Sequence, residues 1–238
     1  DGRPIAAIVN YAAHATVMSW GKRVAADYPG FLQSVVEKVY DGRITVLFAN
    51  GASGDTKIAW LVKRPDSSLN FGYGGVEDAR RWGTLLAGEA IKVFEQIQTG
   101  DAGEIRISST QVDLPLLPHP SVESVEAQLK ERREKGEDAT WEERTLRSLR
   151  EGTAPTALTG EVQLLCIGPD IALVAIPGEL FAEVGLKMKG ALPCKHPFIV
   201  GYANGYVGYL PSAASCREDG EKPRYDWHKI FWYPSNFA

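Results

Sequence analysis

The sequence has few of the features that would place it in a specialised class of protein. It contains three cysteines, Cys166, Cys194 and Cys216, without C-x-x-C spacing, which excludes a disulfide framework. Cys194 and Cys216 could form one bridge and leave the third thiol over, so the redox compartment stays undecided. No apolar run approaches the ~18 residues that a membrane-spanning helix needs, so we expect no transmembrane segment.

The chain also lacks a strong charge of either sign. Its net charge is -4 and its pI is near 5.7, which gives no reason to expect nucleic acid or an anionic membrane as a partner. A hydrophobic fraction of 44% over 238 residues is ample for a buried core in one large domain or two small ones.

The two ends lack the usual signals of a complete chain. Asp1 leads directly into an apolar run, with no initiator methionine, signal peptide or amphipathic presequence, and an aromatic cluster lies close to Ala238. We therefore expect residues 1–238 to be a piece of a longer protein. A site assembled from these residues could then be incomplete.

The pattern of apolar residues predicts strands that alternate with helices. Apolar runs predict strands at 5–11, 44–49, 105–117, 161–167, 171–176 and 198–201, the first two of them buried. Helical spacing predicts helices over 29–40, 76–98 and 177–188. Residues 59–75 are loop-like. The order predicts an α/β fold with a layered, mixed β-sheet flanked by helices.

A charge-rich segment at about 121–150 interrupts this pattern. Glu, Lys and Arg surround a few widely spaced apolar residues, and Ser121 is placed to cap a helix N-terminus. We expect an exposed helical hairpin inserted into the domain, whose charges form a solvated face and not a binding patch.

Four loops that follow predicted strands carry the residues able to do chemistry. They contain His14, the segment 50–55, Glu179 and the segment 204–209. If the strands are neighbours, one histidine, one carboxylate and one or two phenols meet in one cleft. A histidine and a carboxylate suit Zn²⁺, and tyrosine is an uncommon but reasonable oxygen ligand.

Simpler interpretations of the same residues remain open. His14 could be a satisfied core histidine, Glu179 could cap the predicted helix over 177–188, and the tyrosines of 204–209 could only pack. The segment 51–55 superficially matches a nucleophile elbow around Ser53, but Asp55 stands where that motif needs glycine. The glycine-rich phosphate-binding loop G-x-x-x-x-G-K-[ST] is absent.

Five motifs in order resemble the neutral/alkaline non-lysosomal ceramidase family. They are Asn-Tyr-Ala-Ala-His14, Asp27-Tyr-Pro-Gly, Asn50-Gly-Ala-Ser-Gly-Asp55, Pro-Gly-Glu179 and Asn204-Gly-Tyr206-Val-Gly-Tyr209. The resemblance covers most of the chain outside 121–150. It implies a zinc-dependent hydrolase of an amide bond in a small molecule or a lipid, with three of the four zinc ligands in this chain: His14, Glu179 and Tyr209.

The resemblance also implies further roles. The fourth ligand would be a histidine from an upstream part of the same protein, and Tyr225, in an Arg-Tyr pair, would polarise the scissile carbonyl. Asp55 is a further candidate catalytic residue; either Asp27 or Asp55 could orient His14, although turn chemistry explains both equally well. Asn50, Asn204 and Tyr206 would lie in the second shell or contact substrate.

One departure from the family keeps other readings open. The ceramidases carry a catalytic serine shortly after the Gly-Asp pair, and this chain has Lys57 there. The mechanism expected here therefore uses zinc-activated water without a serine. A catalytically silent scaffold and a metal-free hydrolase using Ser53 are the alternatives. Family members are often exported, which favours a secreted or periplasmic location.

Overall fold

The computed structural model describes residues 3–18, 24–58, 61–63, 69–71, 74–101, 103–116, 118–212 and 214–215. Within these ranges the chain forms ten strands and five helices. They follow one another in the order β1 Ala6–Tyr11, α1 Asp27–Val39, β2 Thr45–Asn50, β3 Leu61–Lys63, β4 Leu69–Phe71, α2 Val76–Phe94, β5 Ile105–Pro115, α3 Val122–Lys135, α4 Thr140–Glu151, β6 Ala157–Ile167, β7 Ile171–Ala175, β8 Glu179–Leu180, α5 Ala182–Ala191, β9 His196–Val200 and β10 Tyr209–Leu210.

A β-α-β unit forms the first part of the domain. β1 and β2 pair in parallel, with Ala6 opposite Thr45 and Tyr11 opposite Asn50. The connecting helix α1 packs against the strands together with α2, because both helices carry apolar residues at helical spacing. Their shared core contains Leu32, Val36, Ile44, Val46 and Ala87.

A four-stranded mixed sheet forms the second part. Its order is β5-β6-β7-β9, with antiparallel pairing except between β7 and β9, which are parallel and joined through α5. α5 covers one face of this sheet, where Val184 and Met188 pack against Val174 and Ile199. The α/β fold with a mixed sheet and flanking helices is confirmed.

The carboxyl ends of β1, β2 and β9 lie next to one another. Gly201 N, just after β9, donates to Asn50 O at 2.9 Å. The Asn10 side-chain amide donates to Ala49 O at 3.0 Å and to Ile199 O at 2.9 Å. This junction gathers the loops that follow the three strands at one edge, where α/β proteins place their sites.

Among the described residues, helices cover only one face of the β1–β2 pair and one face of the four-stranded sheet. Ile8 and Leu47 lie opposite each other and are 45% and 51% exposed. The prediction of buried strands at 5–11 and 44–49 was therefore wrong for one face, because the described helices cover only the other. In the four-stranded sheet an apolar row lies on the face opposite the α5-covered residues Val174 and Ile199: Ile107, Leu165, Leu173 and Phe198, of which Ile107 is 65% exposed.

Two further predictions were wrong. The predicted helix over 177–188 begins only at Ala182, because Glu179–Leu180 forms β8 and pairs in parallel with β10. Glu179 N donates to Gly208 O at 2.8 Å, and this long-range ladder outweighs the local helical pattern. The predicted loop at 59–75 contains β3 and β4, whose three residues each are too few to show alternation.

The charged insertion forms the predicted helical hairpin. Ser121 Oγ accepts from Ser124 N at 3.2 Å, which confirms the N-cap of α3. α3 and α4 pack on each other, and Arg132 Nε lies 2.9 Å from Oε1 of the buried Glu142.

No helix in the described part of the chain combines the length and the apolar character needed to cross a membrane.

Candidate functional site

His14 lies three residues after β1, at the edge where the strand ends meet. Its backbone N donates to Thr56 O at 2.9 Å, and His14 forms a parallel bridge with Lys57, in the loop after β2. The ring Nε2 lies 3.3 Å from Glu179 Oε2 and 3.3 Å from Gly54 O. The loops after β1 and β2 and the first residue of β8 therefore converge on one imidazole.

Glu179 is the buried carboxylate of this site. It is 7% exposed, and the Tyr206 hydroxyl donates to its Oε1. Oε2 has no hydrogen-bond partner among the described residues, and it faces His14 Nε2. A buried carboxylate oxygen without a donor is costly. The position next to Oε2 and Nε2 thus suits a cation.

Tyr209 lies beside this pair of atoms. It is the ladder partner of Glu179 in the β8–β10 pair, so the two side chains leave the same face of neighbouring strands. Its ring meets that of His14 edge to face, with centroids 6.0 Å apart, and meets Phe181 in the same way at 6.5 Å. The structure therefore brings together the three predicted zinc ligands.

Two more tyrosines enclose the site. The Tyr202 hydroxyl lies 2.9 Å from His14 Nδ1. The rings of Tyr202 and Tyr206 stack, with centroids 6.1 Å apart and planes 3° from parallel. Burial is the main cause that raises the pKa of both phenols, and the Glu179 carboxylate adds to the rise. Both hydroxyls consequently keep their protons at neutral pH.

The two aspartates contact other groups. Asp27, in the left-handed region at φ 52°, accepts from Met18 N at 2.8 Å and from Tyr28 N at 2.7 Å. Asp55 Oδ1 accepts from Ala182 N at 2.7 Å, at the first residue of α5. These contacts are turn and cap chemistry, and the group that contacts Nδ1 of His14 is Tyr202.

The asparagines divide between the site and a turn. Asn50 Nδ2 donates to Ser53 Oγ at 3.1 Å, and its buried Oδ1 has no partner among the described residues. Asn204 is exposed and left-handed, at φ 62°, as a turn residue would be.

Ser53 is fully buried, unlike the exposed serine of a nucleophile elbow. Tyr225, Arg224 and Cys216 lie outside the described residues.

The donor atoms present fit a zinc ion. One imidazole nitrogen and one carboxylate oxygen face each other, and a phenol stands on the adjacent strand; nitrogen and oxygen donors of this kind bind Zn²⁺. No group of three or more His, Cys, Asp or Glu side chains in the described ranges is arranged to hold a metal. Of the three predicted zinc ligands, only His14 and Glu179 belong to these four residue types, because the third ligand is Tyr209.

Sequence reasoning missed Tyr202 and the Gly54 carbonyl. The signal for Tyr202 was its place directly after a predicted strand, in the loop that also carries Tyr206 and Tyr209. Neither the partner of Nδ1 nor the backbone oxygen near Nε2 could be read from residue types alone.

No family model matches the chain, and no curated protein matches it. Its fold is similar to the crystal structure of neutral ceramidase from Pseudomonas aeruginosa, with a TM-score of 0.59 and 18% sequence identity. The match covers 87% of this chain and 38% of that chain. At this identity the comparison shows the fold alone. The chain thus has a ceramidase-like fold and spans about two fifths of the length of the ceramidase it matches.

Proposed function

We propose that this chain forms part of the catalytic domain of a zinc-dependent, ceramidase-like hydrolase that cleaves an amide bond. The observation that carries the proposal is the pair of facing atoms, His14 Nε2 and the unpartnered Glu179 Oε2, 3.3 Å apart beside Tyr209. The order of the five sequence motifs and the ceramidase-like fold support it.

Each residue has a distinct task in the proposed reaction. When bound, Zn²⁺ supplies a Lewis acid that polarises an amide carbonyl and makes water more acidic. His14, Glu179 and Tyr209 would hold the ion. The Tyr206 hydroxyl engages Glu179 Oε1, which leaves Oε2 turned towards Nε2. Tyr225 would donate a hydrogen bond to the oxygen of the substrate carbonyl, where negative charge develops.

Three protein ligands from this chain would leave room for a fourth. We expect a further histidine from outside residues 1–238 to complete the set, as the resemblance to the ceramidases implies. The substrate would be an amide of a small molecule or of a lipid.

Zinc content, measured by plasma emission spectroscopy on the complete protein, tests the proposal. We expect about one zinc per chain in the wild type and almost none in His14→Ala and in Glu179→Gln. His196→Ala, which removes an exposed histidine at the start of β9, is the matched control and should keep its zinc. A wild-type protein without zinc would refute the proposed site.

A catalytically silent scaffold is the second candidate. Lys57, and not serine, pairs with His14 at the position after the Gly-Asp segment. A protein that binds zinc but hydrolyses no fatty-acyl or short-acyl amide would favour the scaffold. Hydrolysis that disappears in Glu179→Gln would exclude it.

A further inference from the structure

The two nitrogens of the His14 ring have different surroundings. Nε2 lies 3.3 Å from Gly54 O, a carbonyl oxygen that can only accept. Its other neighbour, at 3.3 Å, is Glu179 Oε2. Nδ1 lies 2.9 Å from the Tyr202 hydroxyl, which can donate or accept. This geometry favours a hydrogen on Nε2 of the metal-free protein, and Nδ1 then accepts from Tyr202.

The backbone and the ring stack both hold Tyr202 in this position. Its φ of 57° is left-handed, a conformation that costs an ordinary residue free energy and is concentrated at functional sites. Tyr202 N donates to Gly178 O at 3.2 Å, and the next residue, Ala203, donates to Ile176 O at 3.0 Å. The ring lies flat against Tyr206. The surrounding structure thus imposes the strained conformation.

The stacked rings hold the two proposed ligands as a pair. Tyr202 contacts Nδ1 of His14, and Tyr206 donates to Oε1 of Glu179. In each ligand the atom that remains, Nε2 or Oε2, faces the other ligand. The tyrosine stack therefore aligns both side chains towards one point.

We propose that Tyr202 is the positioning residue of His14, and that its hydroxyl reverses its role when a cation takes the place of the Nε2 hydrogen. In the metal-free protein Tyr202 donates to Nδ1. When the cation binds, Nε2 releases its proton to water while Nδ1 takes one up from water, so the number of protons on the ring is unchanged, and Nδ1–H donates to the Tyr202 oxygen. The Tyr202 hydrogen then turns away from Nδ1, towards Glu179 and Ser53, whose side chains both interact with that hydroxyl.

A tyrosine suits this exchange better than the usual partner of a zinc-bound histidine. Carboxylates and backbone carbonyls only accept, so they favour a single tautomer. A hydroxyl can form a hydrogen bond with Nδ1 in both tautomers, because it can donate or accept. The exchange of tautomers rests on the proposed zinc site, whereas the positioning of His14 concerns the metal-free protein and can be tested without zinc.

The test is nitrogen NMR of the full chain, labelled with ¹⁵N-histidine and stripped of metal. The His14 signals are assigned by their loss in His14→Ala. We expect the tautomer with hydrogen on Nε2 in the wild type, and a displaced Nδ1 signal in Tyr202→Phe, which lacks the hydroxyl. Tyr40→Phe removes a surface hydroxyl that donates to Glu95 at 2.6 Å, away from the site, so its His14 signals should match those of the wild type.

Zinc titration of the same three proteins separates this inference from the proposed function. We expect zinc to move the hydrogen of wild-type His14 to Nδ1, and Tyr202→Phe to bind zinc ~10–100-fold more weakly. His14 signals and zinc affinity both unchanged in Tyr202→Phe would overturn the inference and leave the zinc site standing. A wild type that binds no zinc would refute the proposed function, and the metal-free spectra alone would then decide the role of Tyr202.

Discussion

Among the described residues, Tyr28 has the largest fully buried side chain, and its hydroxyl donates to Ala13 O at 2.7 Å. Burial raises the pKa of this phenol above its ordinary value, and Tyr11 and Asp27 raise it further. Deprotonation is then easier in the unfolded chain. The stability that Tyr28 contributes is therefore complete below the ordinary tyrosine pKa of ~10 and is lost as the pH rises above it.

We expect Tyr28→Phe to be less stable than the wild type at pH 8, because the Ala13 carbonyl loses its donor. The difference should shrink as the pH rises past ~10, by up to about 1.4 kcal/mol per pH unit. Urea unfolding of both proteins between pH 8 and pH 11 measures it. A difference that grows with pH would contradict this sign.

The Tyr206–Glu179 hydrogen bond has an exposed counterpart elsewhere in the chain. Tyr206 donates to the buried Glu179, whereas Tyr40 donates to Glu95 at 2.6 Å on the surface. We expect Tyr206→Phe to lower the free energy of unfolding of the metal-free protein by about 1–3 kcal/mol, because a buried carboxylate loses its donor. Tyr40→Phe, the matched control, should cost less. Equal losses in urea unfolding would show that burial of Glu179 does not matter.

The order of apolar runs and polar loops was enough to predict that His14, Glu179 and Tyr209 lie near one another. His14, Glu179 and Tyr209 each lie in or next to a loop after an apolar run, and strand ends gather at one sheet edge. The hydrogen-bond partners were not predictable. Asp27 and Asp55 have the right chemistry to orient a histidine, but each accepts from a backbone amide. Tyr202, whose backbone is left-handed, contacts Nδ1 of His14.

Two glycines of α2 differ in what lies next to them, although both stand in the middle of the helix. A Cβ on Gly83 would lie 2.5 Å from the Phe31 Cβ and 2.6 Å from Tyr28 O, so α1 and α2 are in close contact there. A Cβ on Gly88 would meet nothing within 4 Å. The same substitution therefore has opposite consequences at the two positions.

We expect Gly88→Ala to raise the free energy of unfolding by about 0.5–1 kcal/mol, since alanine favours the helix. Gly83→Ala should lower it by about 1–3 kcal/mol, because the overlap outweighs the gain in helix propensity. Thermal and urea unfolding of the two variants check the pair. A stabilised Gly83→Ala would mean that α1 and α2 are not in tight contact.

Helices and hairpins could be predicted from the sequence where the residues within the element determine its conformation. α1, α2 and the α3–α4 hairpin follow from helical spacing and caps, and the β6–β7 hairpin follows from the turn at 168–170. β8 was mistaken for the start of a helix because its pairing with β10 comes from residues far along the chain. Long-range pairing leaves little trace in a two-residue strand.

The charged hairpin of α3 and α4 is connected to the four-stranded sheet at the adjacent ends of β5 and β6. Pro115 pairs with Ala157 at the ends of β5 and β6, and Leu116 N donates to Thr156 O at 2.9 Å. We expect a protein with residues 117–155 replaced by an Asn-Gly turn to remain folded, because that dipeptide closes an antiparallel pair. Its zinc content should equal that of the wild type. Loss of zinc from a folded variant would place the hairpin in the site.

The site is drawn from opposite ends of the described chain. His14 and Tyr202, in contact through 2.9 Å, are 188 positions apart in sequence. Contacts of such separation form late, since the entropy of closing a long loop must be overcome first. During synthesis on the ribosome, His14 emerges long before its partners do. The proposed zinc site therefore cannot assemble until Tyr209 has left the exit tunnel, and premature termination before that point would produce a protein without one of the proposed ligands.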